Sequence, residues 1–266
     1  TEHVREIYHC NVQQTVSFGG GNSVLKSERI KETSAYVFIV LITFIVLQST
    51  VVVMHEFTHS TAAWFFGDIT SPRDIIWGNF FTMQAEMKEF IITICFRQET
   101  QTEAIIGASP LLVHSIIVAF GLWFLQTGFM KGKKLFFHIL YWFTVANFME
   151  LIAYITMRSF ASGGDTGHLS RGLGLSPWLI FIVGNTLIIF GLSVLFKNVL
   201  PVKYDLFAKE NVLTRWAILL ITSFCLFLWG SGLRVVLYIY PDPQWMFGLI
   251  GFAAFISVLF IFKPTR

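Results

Sequence analysis

Apolar residues in this chain come in runs of roughly twenty, separated by short polar stretches. That is the length an α-helix needs to cross a hydrocarbon core about 30 Å thick at about 1.5 Å per residue. Six runs are legible: Ala35 to Phe66, Ala104 to Gln126, Leu135 to Met157, Pro177 to Phe196, Trp216 to Ile239 and Trp245 to Phe262. The pattern predicts an all-α, multi-pass integral membrane protein of about six transmembrane helices, with the bilayer as its surroundings. The first run continues from Met54 through HEFTHSTAAWFF without a break, and is read as a span because it is too long for a cleaved signal peptide. Residues 1–34 read as a polar N-terminal tail without a helical or strand period, flexible around Gly19, Gly20 and Gly21, and residues 35–266 as the membrane domain. Between the first two runs, about Arg73 to Arg97, the pattern changes. Gly78-Asn79 is a turn signal and Ile92, Ile94 and Phe96 alternate, which predicts a small β-hairpin. Such a hairpin either packs on helix ends or offers its edge to an extended substrate.

Composition agrees with the runs and narrows the partners. Hydrophobic residues make up 55% of the 266 and charged ones only 13%, against about 25% charged in soluble domains. A net charge of +3 is too small to imply a nucleic-acid partner. Cys10, Cys95 and Cys225 lack CxxC spacing, so they suggest neither a disulfide framework nor a thiolate metal site.

Ionisable residues inside a bilayer cost about 2.5 to 3.5 kcal/mol each on insertion scales and mark function by default. The six runs hold two acids, Glu56 and Glu150, with Arg234 as the interior base. Glu56 lies within His55-Glu56-Phe57-Thr58-His59. Positions four apart share a helix face, so His55 and His59 are candidate ligands of one metal ion with Glu56 alongside. HExxH alone is moderately specific. At the end of a long apolar run it gains weight, because three polar groups there would be destabilising unless paired or metal-bound.

The stretch HEFTHSTAAWFFG resembles the active-site helix of the site-2 protease family of intramembrane zinc metalloproteases. Gly107-Ala108-Ser109-Pro110 resembles that family's small-residue and proline motif, and Gly163-Gly164-Asp165-Thr166-Gly167 its Asp-Gly motif. The likeness runs from about His55 to His168; the last three runs are unmatched. It departs from the family at Asn147, which is followed by Glu150 with Asp165 far downstream and no proline between. The resemblance implies a Zn2+ cofactor, Glu56 as the catalytic base, a membrane protein or peptide as substrate, and peptide-bond hydrolysis within the bilayer.

A catalytic zinc commonly has three protein ligands and one open position. Asp165 is the favoured third ligand, because its glycine neighbours let the backbone fold a carboxylate inward; an ordinary polar turn is its bland reading. Glu150 is the rival, as a ligand, as a residue beside the metal, or as the partner of Arg158 or Arg234. Asn147 and His168 are candidates for contact with substrate or with a ligand, His114 for an interhelical hydrogen bond, His138 for an interfacial position, and Gln48 and Thr58 for a polar path to the metal. Two alternative functions stay open: a CAAX-type zinc membrane peptidase, and a noncatalytic zinc-binding membrane protein. Orientation is pulled both ways. Lys131, Lys133, Lys134, Lys197, Lys203, Lys209, Lys263 and Arg266 would share the side of the termini and make it cytoplasmic, whereas the resemblance puts the HExxH end of the first span in the cytoplasmic half. Neither the substrate nor the oligomeric state is legible.

Overall fold

The computed structural model describes residues 20–73, 75, 101–130, 132–161, 163–230 and 245–264. Among them five helices are long and apolar enough to cross a membrane: Leu25–Phe65, Gln101–Leu125, Lys134–Thr156, Pro177–Phe207 and Val212–Trp229. A sixth apolar helix, Met246–Ile261, is shorter. The described residues contain no strand. The hairpin expected over residues 73–97 lies outside them, apart from Arg73 and Ile75. The set of helices is compatible with a multi-pass integral membrane protein.

The first helix, α1 (Gly20–Phe65), corrects the reading of the tail, since residues 20–34 are helical and continuous with the span. At about 1.5 Å per residue a helix of 46 residues is roughly 70 Å long, more than twice the hydrocarbon thickness. Its polar extension carries Lys26, Glu28, Arg29, Lys31 and Glu32, and residues 25–32 are exposed. A helix solvated all round shows no apolar period to read. Propagation from an existing span also avoids the cost of nucleation. The extension is tied down where it meets the fifth span: Thr33 Oγ1 lies 2.8 Å from Thr214 Oγ1, and Asn211 Nδ2 donates to the Arg29 carbonyl at 3.1 Å.

The next elements are α2 (Gln101–Leu125), α3 (Lys134–Leu151, ending in a π-helical turn Ile152–Thr156) and the short α4 (Gly164–Gly172). After them come α5 (Pro177–Val194), continued through a π turn into α6 (Leu200–Phe207), then α7 (Val212–Ser223) with a π turn to Trp229, and α8 (Trp245–Ile261). The third span is the centre of the bundle. Its most apolar window is 72% buried, against 17% for the first and fourth spans, and Phe137, Tyr141, Trp142, Val145, Phe148 and Met149 are fully enclosed. A helix buried on every side is expected only where other helices surround it. The outer spans instead expose large apolar side chains such as Ile39, Val46, Leu187 and Phe190. In water such faces would be an aggregation liability, whereas lipid solvates them.

Lys203 does not lie in a loop as the charge reading required. It is fully buried in α6, with Nζ 3.2 Å from His138 Nδ1 and 4.0 Å from the centre of the Phe207 ring. His138 is likewise buried, bridging to Thr43 Oγ1 at 3.2 Å.

Candidate metal centre

The histidines of HExxH sit two turns before the end of α1, and both are buried. Asp165 comes from the first turn of α4 and is buried too. His55 Nε2 is 3.2 Å from Asp165 Oδ2, His59 Nε2 is 3.3 Å from Asp165 Oδ1, and the two Nε2 atoms are 3.2 Å apart. Among the described residues these three form a group able to hold a metal ion, with one ligand atom from each and all three within 4.8 Å of one another. Glu56, half-buried on the same turn of α1, is within electrostatic range of all three.

Local sequence explains how the three meet. The α4 helix packs on α2 at Gly107, where a Cβ would come within 3.0 Å of both the Asp165 carbonyl and His168 Cβ. A side chain there would make its neighbours give by a few tenths of an ångström, so glycine favours this close approach. Gly164, one residue before Asp165, has φ +76°, a left-handed conformation that glycine adopts without steric cost.

Pro110 has a separate role. It has no N–H, so the Ile106 carbonyl four residues earlier lacks its normal helical donor. That carbonyl accepts instead from His59 Nδ1 at 2.8 Å and from Ser109 Oγ at 2.8 Å. Because a carbonyl only accepts, the His59 proton sits on Nδ1, and in the neutral ring Nε2 presents its lone pair to Asp165. Asp165 Oδ2 is buried and faces His55 Nε2. A carboxylate facing imidazole lone pairs is repulsive unless a proton or a metal ion lies between them, and two imidazole nitrogens with one carboxylate oxygen are a donor set that suits a divalent ion such as zinc.

His55 has two aromatic-ring neighbours. His114 meets its edge, with centroids 5.3 Å apart and an interplanar angle of 22°, and Tyr154 stacks on it at 5.0 Å and 18°. Tyr154 comes from the π turn that ends the third span. Its ring also lies under Arg158, whose guanidinium carbon is 5.2 Å from the centroid.

The remaining candidates fall outside the ligand set. Glu150 is buried and accepts from Gln48 Nε2 at 2.7 Å. Asn147 Oδ1 accepts from His114 Nδ1 at 2.7 Å. His168 Nδ1 pairs with Glu103 Oε1 at 3.0 Å and lies beside Arg171 Nη2 at 3.2 Å, so its ring is engaged between α2 and α4 and is not turned to the centre. The Thr58 hydroxyl donates to its own helix at the Met54 carbonyl. Sequence reasoning did not find the stacking Tyr154, the Glu103 partner of His168 or the freed Ile106 carbonyl. Only the last left a signal, the proline four residues downstream.

A scan against protein-family models and searches of curated proteins and of solved structures find no match to this chain.

Proposed function

We propose that this protein is an intramembrane zinc metallopeptidase, resembling site-2 proteases in its site, that hydrolyses peptide bonds of transmembrane or membrane-associated proteins. The observation that carries the reading is the convergence of His55 Nε2, His59 Nε2 and the Asp165 carboxylate, all buried and brought together from two separate helices. His55, His59 and Asp165 would hold the ion. A bound zinc supplies an acidified water and polarises the scissile carbonyl.

Glu56 is the base. Its place between the two histidines puts a carboxylate beside the ligand face without adding it to the ligand set, where it takes the water's proton and returns it to the leaving amine. A substrate helix hides its carbonyls in its own hydrogen bonds and must unwind locally before attack. The engagement of Glu150 with Gln48 favours the Asp-ligand reading over that of a peptidase with a Glu ligand.

The test is metal analysis of the purified protein together with cleavage of a synthetic transmembrane peptide in detergent or vesicles. About one zinc per chain, with cleavage lost to a chelator and restored by zinc, is the expected result. Metal bound without cleavage of any membrane peptide would return the protein to the noncatalytic zinc-binding class.

A further inference from the structure

We infer that His114 and Asn147 form a proton-ordered relay that holds His55 with its ligand nitrogen bare, making both of them positioning residues for the metal. The inference rests on the metal reading of the site and extends it from three residues to five. It starts at the Phe143 carbonyl, which can only accept. Asn147 reaches that carbonyl with one end of its amide at 2.7 Å, so the end placed there is the NH2 group. Turning the amide round would set two oxygens against each other at that distance, and this settles which end of the amide is which.

The other end, Oδ1, therefore faces His114 Nδ1 at 2.7 Å. An amide oxygen accepts, so His114 carries its proton on Nδ1. His114 is fully buried in the second span, where the neutral ring is the form that burial favours. Its Nε2 then holds a lone pair and lies 3.1 Å from His55 Nδ1. That contact is a hydrogen bond only if His55 donates from Nδ1. The His55 Nε2 lone pair is consequently turned to Asp165, matching what the Ile106 carbonyl does for His59. Each ligand histidine thus has its distal nitrogen anchored outside the ligand set, one on a backbone carbonyl and one through a histidine to an amide. Such anchoring fixes tautomer and ring orientation in metal sites, and its removal commonly costs about 10–100-fold in metal affinity.

The relay is also interhelical. Asn147 belongs to α3, His114 to α2 and His55 to α1, so the orientation of a ligand on the first span is set by a residue on the third. The His55 and His114 rings lie 22° from parallel with centroids 5.3 Å apart, the separation expected when the hydrogen bond runs edge to edge between them.

Protein labelled with 15N-histidine, compared metal-free and zinc-loaded in detergent or nanodiscs, reads the relay directly. Replacement of His114 and of His55 one at a time identifies their signals among the seven histidines. His114 is expected as a neutral ring protonated on Nδ1 in both states, and His55 as protonated on Nδ1 with Nε2 shifted by the metal. Asn147→Leu should release His114 to the opposite tautomer and weaken zinc binding by about 10–100-fold. Where the leucine variant fails to fold, the His114 tautomer of the wild type carries the test. A His114 signal protonated on Nε2 in the wild type overturns the relay. So does zinc affinity in Asn147→Leu within twofold of wild type. Failure of the wild type to bind zinc would instead defeat the metal reading, while the tautomer of His114 in the metal-free protein still decides the relay.

Discussion

At the scale of single residues, the assignment of the third ligand separates two carboxylates that sit in very different surroundings. Asp165 has one oxygen 3.2 Å from His55 and the other 3.3 Å from His59, whereas Glu150 receives an amide hydrogen bond from Gln48. Asp165→Ala should therefore lower zinc occupancy sharply, and Glu150→Gln should keep the metal and change only stability or rate. Metal content after gel filtration reads both. Retention of zinc by Asp165→Ala, with loss in Glu150→Gln, would reverse the assignment. The HExxH histidines and the glycine-flanked Asp165 could be singled out from sequence because metal chemistry demands those residue types at short spacing or on a flexible turn. His114 could not be placed beyond an interhelical role. Its function depends on the rotation of three helices about their axes, and the third, 72% buried over its most apolar window, offers little periodicity from which to read rotation. The same limit applied to Tyr154, which meets His55 from the π turn that ends the third span.

At the scale of elements, α2 carries two small devices that position the site without touching the metal. Gly107 sets how near α4 comes, and Pro110 leaves the Ile106 carbonyl available to His59. Gly107→Val should push α4 outward and reduce zinc affinity while the helical content is retained, and circular dichroism alongside metal titration tests this. Pro110→Ala gives the Ile106 carbonyl a competing helical donor. It should weaken zinc binding several-fold without lowering thermal stability, since alanine is the better helix former. An unchanged zinc affinity in Pro110→Ala would mean that the carbonyl serves both donors equally well. The sequence placed Gly107 and Pro110 in one motif by resemblance. Their physical roles became visible only once the partners across the α2–α4 and α1–α2 contacts were known.

At the scale of the whole molecule, five of the six expected runs fall on helices of spanning length and the sixth on a shorter one, with the second and third matched to within a few positions at both ends because length and hydropathy follow directly from bilayer thickness; the end of the fifth run, residues 231–239, lies outside the described residues. What they did not show was how far a helix extends beyond the membrane. The polar start of α1 and the continuation of the fourth span to Phe207 both lack an apolar stripe or a break that would mark them. The second extension matters for orientation. Lys203 is enclosed among aromatic rings, so it leaves the count of loop charges that favours cytoplasmic termini, although Lys133, Lys134 and Lys209 remain in that count. Because α1 crosses once, cysteines introduced at Ser27 and at Ser71 should be labelled from opposite faces of sealed vesicles, with Ser27 on the cytoplasmic side. Labelling of both from one side would contradict the span. Labelling of Ser27 from the outside only would leave the span intact and reverse the orientation.

The claim on which the account depends is that Glu56 is the base of a metal-dependent hydrolysis, and one paired measurement addresses it. Wild type and Glu56→Gln, purified in parallel, are assayed for bound zinc and for cleavage of the same transmembrane peptide. The amide keeps the size and shape of the side chain and removes the proton acceptor. The account expects equal zinc content in the two proteins, cleavage by the wild type, and loss of cleavage by a factor of about 10²–10⁴ in the variant, the usual contribution of a general base. Cleavage by Glu56→Gln at a rate near that of the wild type, with zinc bound in both, would contradict it.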